Sequence, residues 1–208
     1  MIPRPPRSTL FPYTTLFLSN KMTNKNTINI LGITGSLRDA SYNTALIRAA
    51  VELLPTDVKL EIIDLAALPM FDVDTEKPFP PAVVEFREKI ALADAVLIST
   101  PEYNSSISGA LKNSLDWASR SPDAPFAGKP VAIMGASTGV FGTARAQLQL
   151  RQVLTHIGAL VMPKPEVMVA RAADAFDEQG NLVNETTRKF LQDLLIGLSE
   201  WTRRISAK

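Results

Sequence analysis

The chain contains no cysteine. That absence removes disulfides, thiolate metal sites and a cysteine nucleophile together. It fits a reducing compartment, and a cytoplasmic location is the expectation. Histidine occurs once, as His156, so a metal site built from several histidines is excluded as well. An excess of charge of one sign is also missing: 22 Lys and Arg stand against 21 Asp and Glu, a formal net charge of +1. That balance provides no electrostatic reason to expect nucleic acid as a partner. What is present points to one buried core. With 46% hydrophobic and 21% charged residues over a length of 208, the chain is neither globally disordered nor too short to fold alone.

Residues 1–21 read MIPRPPRSTLFPYTTLFLSNK. Two arginines ahead of a semi-apolar stretch mimic a signal peptide. Pro12, Tyr13, Thr14 and Thr15 interrupt that stretch, however, and no small-x-small cleavage site follows. It is also too short and too broken to cross a membrane, so no membrane partner is expected. The segment resembles a translated sequencing adaptor, and Met22 resembles a natural start. Residues 1–21 are therefore read as a non-native or disordered extension, and residues 22–208 as a single domain.

From Asn26 onward, apolar runs alternate with helical patterns. Ile28 to Ile33 reads as a strand. Leu46, Ala49, Ala50 and Leu53 form one helical stripe, which Pro55 ends. Leu60 to Leu65 reads as a second strand, and a long Pro-rich loop from Pro69 to Pro81 follows. Val83, Phe86 and Ile90 mark the next helix, Ala95 to Thr100 a strand, and Leu111, Leu115 and Ala118 a third helix. Val131 to Met134, then Leu150, Val153, Leu154 and Ile157, then Leu160 to Met162 continue the alternation. Leu191, Leu194, Leu195 and Leu198 close it. Strict alternation implies an α/β fold, a parallel sheet with helices on both faces. Five strands favour the order 2-1-3-4-5, with a ligand beyond the carboxyl ends of the strands where strands 1 and 3 diverge.

That architecture would gather three chemically unusual loops. Gly35 to Thr44 offers the hydroxyls of Ser36, Ser41 and Thr44, the amide of Asn43 and the guanidinium of Arg38 at a helix start, a combination suited to an anion such as phosphate. The bland alternative is that Ser41 or Asn43 only caps the helix. Thr100 to Gly109 sets Tyr103 beside an amide and several hydroxyls, which suits a flat ring with polar edges. An ordinary capping loop is the alternative. Neither G-x-G-x-x-G nor G-x-x-x-x-G-K-[ST] occurs here, which weakens a classical dehydrogenase or an NTPase.

The third loop, Gly135 to Gly139, matches G-x-S-x-G, the hydrolase nucleophile elbow. A hydrolase then needs an acid and a histidine after Ser137. Residues 138–155 hold no Asp or Glu, and His156 falls in the helix expected next. Ser137 is therefore read as a small polar loop residue or a ligand contact, and His156 as a surface or packing residue.

GSLRDASYN, PEYNSSISGALKNSLDW and GASTGVFGTARAQLQLRQVL, in this order and spacing, resemble the NADPH-dependent FMN reductase family, which includes quinone, azo-dye and chromate reductases. The resemblance runs from about Asn26 to the C-terminus. It implies a flavodoxin-like three-layer sandwich, bound FMN, NADPH or NADH as electron donor, and a homodimer or homotetramer. Gly35, Ser36, Arg38, Ser41 and Asn43 match its phosphate loop. Pro101, Glu102, Tyr103 and Asn104 match the loop beside the isoalloxazine, and Ser137 matches a third flavin contact. Lys112, Asn113, Asp116 and Trp117 match a helix that supports the second loop. Ser108 stands where the family often has proline; either residue can open the helix.

The implied activity is hydride transfer from NAD(P)H to FMN and onward to a small-molecule acceptor such as a quinone, chromate, an azo compound or free flavin. No side chain is assigned as a catalytic acid or base, because the flavin carries that chemistry; Glu102 is read as solvated or ion-paired. No metal is expected. The rival readings are a flavodoxin-type electron carrier, which is usually more acidic than this chain, and a flavin-free binding module on the same fold.

Overall fold

The computed structural model describes residues 27–207. The reading of residues 1–21 as an extension lies outside them. The described chain runs β1 (Ile28–Thr34), α1 (Tyr42–Glu52), β2 (Val58–Ile63), α2 (Pro81–Leu92), β3 (Ala95–Ser99), α3 (Gly109–Ala118), β4 (Pro130–Ala136), α4 (Ala144–His156), β5 (Leu160–Val161), β6 (Val167–Val169) and α5 (Glu185–Ser206). All paired strands are parallel, in the order β2-β1-β3-β4-β5, and β6 also pairs with β4. The parallel order is the one the alternation favoured, and the whole is the flavodoxin-like three-layer sandwich that the family resemblance implied.

The central strands are apolar throughout because both of their faces are covered. Side chains alternate across the pleat. Ile30, Leu97, Ala132 and Met134 join the core under α1 and α5. Leu31, Ile33, Val96, Ile98, Val131 and Ile133 join the core under α2, α3 and α4. The helical stripes read from the sequence supply the other half of each core: Leu46 and Ala50 with Leu191, Leu194 and Leu198 on one side, Phe86, Ile90, Leu111, Leu115 and Leu150 on the other.

Two strand boundaries differ from the sequence reading. β2 begins at Val58 and ends at Ile63, two residues earlier than Leu60 to Leu65. Its start follows a turn in which Val58 N–H donates to the Pro55 carbonyl at 3.0 Å. Its end comes where the Asp64 carboxylate accepts the Ala66 N–H at 2.9 Å, turning the chain out of the ladder. The fifth strand position is split. β5 pairs with Pro130 and Val131, and β6 pairs with Met134, Gly135 and Ala136. Pro163 and Pro165 fall between them, and a proline has no N–H to donate to a ladder.

The long loop after β2 is strapped to α3. The Pro69 carbonyl accepts from Asn113 Nδ2 at 2.9 Å and from Trp117 Nε1 at 2.8 Å, and Phe71 packs edge-on against the Trp117 ring. Arg87 lies buried at the C-terminal end of α3 and donates to the carbonyls of Trp117, Ala118, Pro122 and Asp123. Burial pushes its guanidinium pKa below the ordinary value.

Candidate functional site

The loops after β1, β3, β4 and β6 all emerge at the carboxyl edge of the sheet. The first is held against the second at its base. Gly35 N–H donates to the Ser99 carbonyl at 2.8 Å, and the Gly35 carbonyl accepts from Ser108 Oγ at 2.5 Å. A Cβ on Gly35 would lie 3.0 Å from Pro101 Cδ, so a larger residue there would push the two loops apart by a few tenths of an ångström. Ser108 also caps α3, accepting the Leu111 N–H at 3.1 Å, the role expected of a serine in the family's proline position.

Beyond Gly35 the first loop is rich in donors. Ser36 is buried, and its Oγ accepts the Arg38 N–H at 3.4 Å. Ser41 caps α1 by accepting the N–H groups of Asn43 and Thr44 at 3.2 and 3.3 Å. Among the described residues, the N–H groups of Ser36, Leu37 and Tyr42 meet no acceptor. Arg38 is exposed and has no carboxylate partner among them. Open amides, a helix start and a free guanidinium on one loop together favour an anion.

Asn43 has a different task from its neighbours. It is buried, its Nδ2 donates to the Ala136 carbonyl at 2.9 Å, and its Oδ1 accepts from Ala136 N–H at 2.9 Å and from Ser99 Oγ at 3.1 Å. The side chain therefore ties the start of α1 to the ends of β3 and β4. It lines the site and braces it.

The second loop folds on itself. Tyr103 and Ser106 exchange both backbone hydrogen bonds at 3.0 Å, with Asn104 at φ 51° and Ser105 at φ 62° between them. Two consecutive positive φ values make this a type I′ turn. Tyr103 is 44% exposed, so its ring is available at the surface of the site.

Glu102 precedes that turn, and its side chain is only 6% exposed. Its carboxylate accepts the N–H groups of Arg145 and Ala146 at 3.0 and 3.1 Å and pairs with the Arg145 guanidinium at 2.6 Å. Thr143, the residue before α4, has a left-handed backbone and makes no cap bond of its own. Glu102 thus caps α4 from another loop, which supports the ion-paired reading over a free acid or base.

The third loop is stitched to the end of β6, a contribution the sequence did not reveal. Ser137 N–H donates to the Val169 carbonyl, Ala172 N–H to the Ser137 carbonyl and Arg171 N–H to the Gly139 carbonyl, at 3.0 to 3.1 Å. Ser137 Oγ accepts the Gly139 N–H at 3.1 Å. His156, the last residue of α4, is exposed.

Ser36, Arg38, Ser41, Asn43, Pro101, Glu102, Tyr103 and Ser137 converge on one cleft of about 110 Å³. Of the ten expected contacts, only Gly35, buried behind it, and Asn104, exposed in the turn, do not line it. Tyr42, Ala136 and Thr138 line it without having been singled out. A larger hollow of about 460 Å³ opens at the opposite end of the sheet beside Asp94, Lys129 and Pro130, away from these donors. Lys112, Asn113, Asp116 and Trp117 stay outside the cleft. Asn113 and Trp117 hold the Pro69 loop rather than the Tyr103 turn, and Lys112 pairs with Asp116 at 2.7 Å.

The donors fit a ligand with an anionic group at the Arg38 end and a flat ring at the Tyr103 end. Comparison with known proteins agrees with that chemistry. Residues 28–174 match the family model described as NADPH-dependent FMN reductase. An NAD(P)H-dependent FMN reductase of Pseudomonas aeruginosa is 50% identical over 179 residues, covering 86% of this chain and 97% of that protein. A 2-hydroxy-1,4-benzoquinone reductase of a Burkholderia species is 41% identical over 177 residues, covering 85% and 97%. Among solved structures, a flavoenzyme NAD(P)H:(acceptor) oxidoreductase of Paracoccus denitrificans matches with a TM-score of 0.79 and 34% identity, covering 86% of this chain and 98% of that one.

Proposed function

The chain belongs to the NADPH-dependent FMN reductase family, and from that premise we propose that its cleft seats FMN and that its acceptor is a quinone. It is an NAD(P)H-dependent oxidoreductase with FMN as its cofactor. The observation that carries the placement is the convergence of eight expected contacts, from three separate loops, on one cleft at the carboxyl edge of the sheet.

In this reading Arg38, the hydroxyls of Ser36 and Ser41 and the open amides of the first loop hold the phosphate. Asn43 keeps that loop at a constant distance from β4. Pro101 and Tyr103 border the ring, Asn104 shapes the turn that carries Tyr103, and Ser137 meets the ring from the third loop. Bound FMN supplies the two-electron chemistry between reduced nicotinamide and acceptor. The protein's part is orientation, electrostatics and access, so no side chain is given an acid or base role.

The quinone assignment is supported by the Burkholderia relative, whose name gives a benzoquinone as substrate. The domain is residues 22–208, assembled as a homodimer or homotetramer in the cytoplasm, as the sequence resemblance and the cysteine-free composition suggest. Among the described residues no helix is long and apolar enough to cross a membrane. Light scattering after size exclusion tests the assembly.

An absorbance spectrum of the purified protein with FMN tests the function. The expected result is flavin bands near ~450 nm that NADPH or NADH bleaches anaerobically and 1,4-benzoquinone restores. Bound flavin that neither nucleotide bleaches would instead indicate an electron carrier. A protein that binds no FMN would overturn the reading.

A further inference from the structure

Resting on that placement of FMN, we propose that Glu102 and Gln149 are positioning residues: through α4 they fix the Tyr103–Ser106 turn at the rim of the cleft, where it seats the flavin ring. A type I′ turn of two non-glycine residues holds Asn104 and Ser105 in backbone conformations that L-residues seldom adopt. Such a turn persists only where its surroundings dictate it. Here α4 dictates it at both ends.

At the leading end, the Glu102 carboxylate takes the two N–H groups that Thr143 leaves uncapped and pairs with Arg145. The carboxylate lies at the positive end of the helix dipole. At the trailing end, one turn further along α4, Gln149 Nε2 donates to the Ser105 carbonyl at 3.1 Å, and Gln149 Oε1 accepts from Ser106 Oγ at 2.5 Å. Neither residue needs to touch the reacting atoms. The guanidinium of Arg145 also lies 4.6 Å from the centre of the Phe141 ring, which holds the ion pair in place. The turn is thus splinted to a helix whose own packing, through Leu150 and Leu154, belongs to the core.

The experiment compares the full chain with E102A, E102Q and Q149A. Hydrogen–deuterium exchange of the FMN-free proteins reads residues 102–107 and 143–149 separately, and flavin fluorescence quenching reads FMN affinity. Q149A leaves the α4 cap intact. It is expected to speed exchange at 102–107 only and to weaken FMN binding several-fold. E102A is expected to speed exchange in both segments and to weaken FMN roughly tenfold or more, the scale of a lost charge-assisted cap. E102Q, which keeps the shape and one acceptor oxygen, should fall between E102A and the parent. If either Q149A or E102Q leaves exchange at 102–107 and FMN affinity at parental values, Glu102 and Gln149 serve α4 alone and the proposal is overturned. Failure of the parent protein to bind FMN would refute the placement of the cofactor and, with it, the seating role; the exchange data would still show whether the splint exists.

Discussion

The side-chain amide of Asn43 pairs with the backbone of Ala136 in both directions, donating to its carbonyl and accepting from its N–H at 2.9 Å each. Ninety-three positions separate the two residues. The pair does for the loops what a ladder does for strands: it holds the start of α1 at a set distance from the end of β4.

Replacing Asn43 by alanine would leave the carbonyl and N–H of Ala136 and the hydroxyl of Ser99 without their partner in a buried site. At about 1–3 kcal/mol for each buried group left unsatisfied, partly relieved by water, a loss of roughly 2–5 kcal/mol is expected. Urea unfolding checks it: the midpoint should fall while the slope stays constant. FMN affinity should fall with it, because the phosphate loop loses its brace.

Gly135 is the point of closest approach between β4 and the residue before α4. An added Cβ would lie 2.1 Å from Thr143 Oγ1 and 2.5 Å from the Thr100 carbonyl oxygen. The second neighbour is backbone and cannot swing aside. Gly135→Ala is therefore expected to cost about 3 kcal/mol or more, at the upper end of overpacking effects. A thermal melt measures it, with Gly109→Ala, whose Cβ would meet nothing within 4 Å, as the comparison.

Arg38 is exposed and unpaired among the described residues, so Arg38→Ala should change folding stability by less than ~0.5 kcal/mol. Its effect belongs to the ligand. Loss of a charge-assisted contact to phosphate is expected to weaken FMN by about 10- to 100-fold. Riboflavin, which lacks the phosphate, should bind parent and variant equally. Equal losses for both ligands would move the phosphate away from Arg38.

Asp177 provides a pH-dependent component of stability. The Asn181 side-chain amide and backbone N–H, with smaller help from the N–H groups of Gln179 and Gly180, hold its carboxyl below the usual carboxylate range. A carboxyl depressed in the folded state contributes above its unfolded pKa of about 4, and the contribution is lost as pH falls through the folded value. The stability difference between the parent chain and Asp177→Asn should therefore be largest at neutral pH and shrink towards pH ~2. Denaturant titrations across that range decide it; a difference that grows on acidification would contradict the sign.

Much of the fold was legible because its determinants are local. The apolar stripe through Leu46, Ala49 and Ala50 and the all-apolar run from Ala95 to Ile98 state their own periods. Ser41 and Ser108 sit immediately before the helices they cap. The loops that form the cleft were legible for the same reason: each contains an unusual density of donors within ten residues. The interruption between β5 and β6 was also written in Pro163 and Pro165, but Leu160 to Met162 reads as an ordinary strand until its partners on β4 are known.

The sequence by itself determined the alternation, the starts of α1 and α3 and which loops carry donors, since those follow from period, capping and composition over a few residues. Only the tertiary structure decided that Glu102 caps a helix 43 residues away, that Asn43 braces β4 and that the loop after β6 supports Ser137. Those contacts join residues whose spacing along the chain bears no relation to their distance in space. They exist because a parallel sheet brings the carboxyl ends of distant strands to one edge, and loops crowded there must satisfy one another's polar groups.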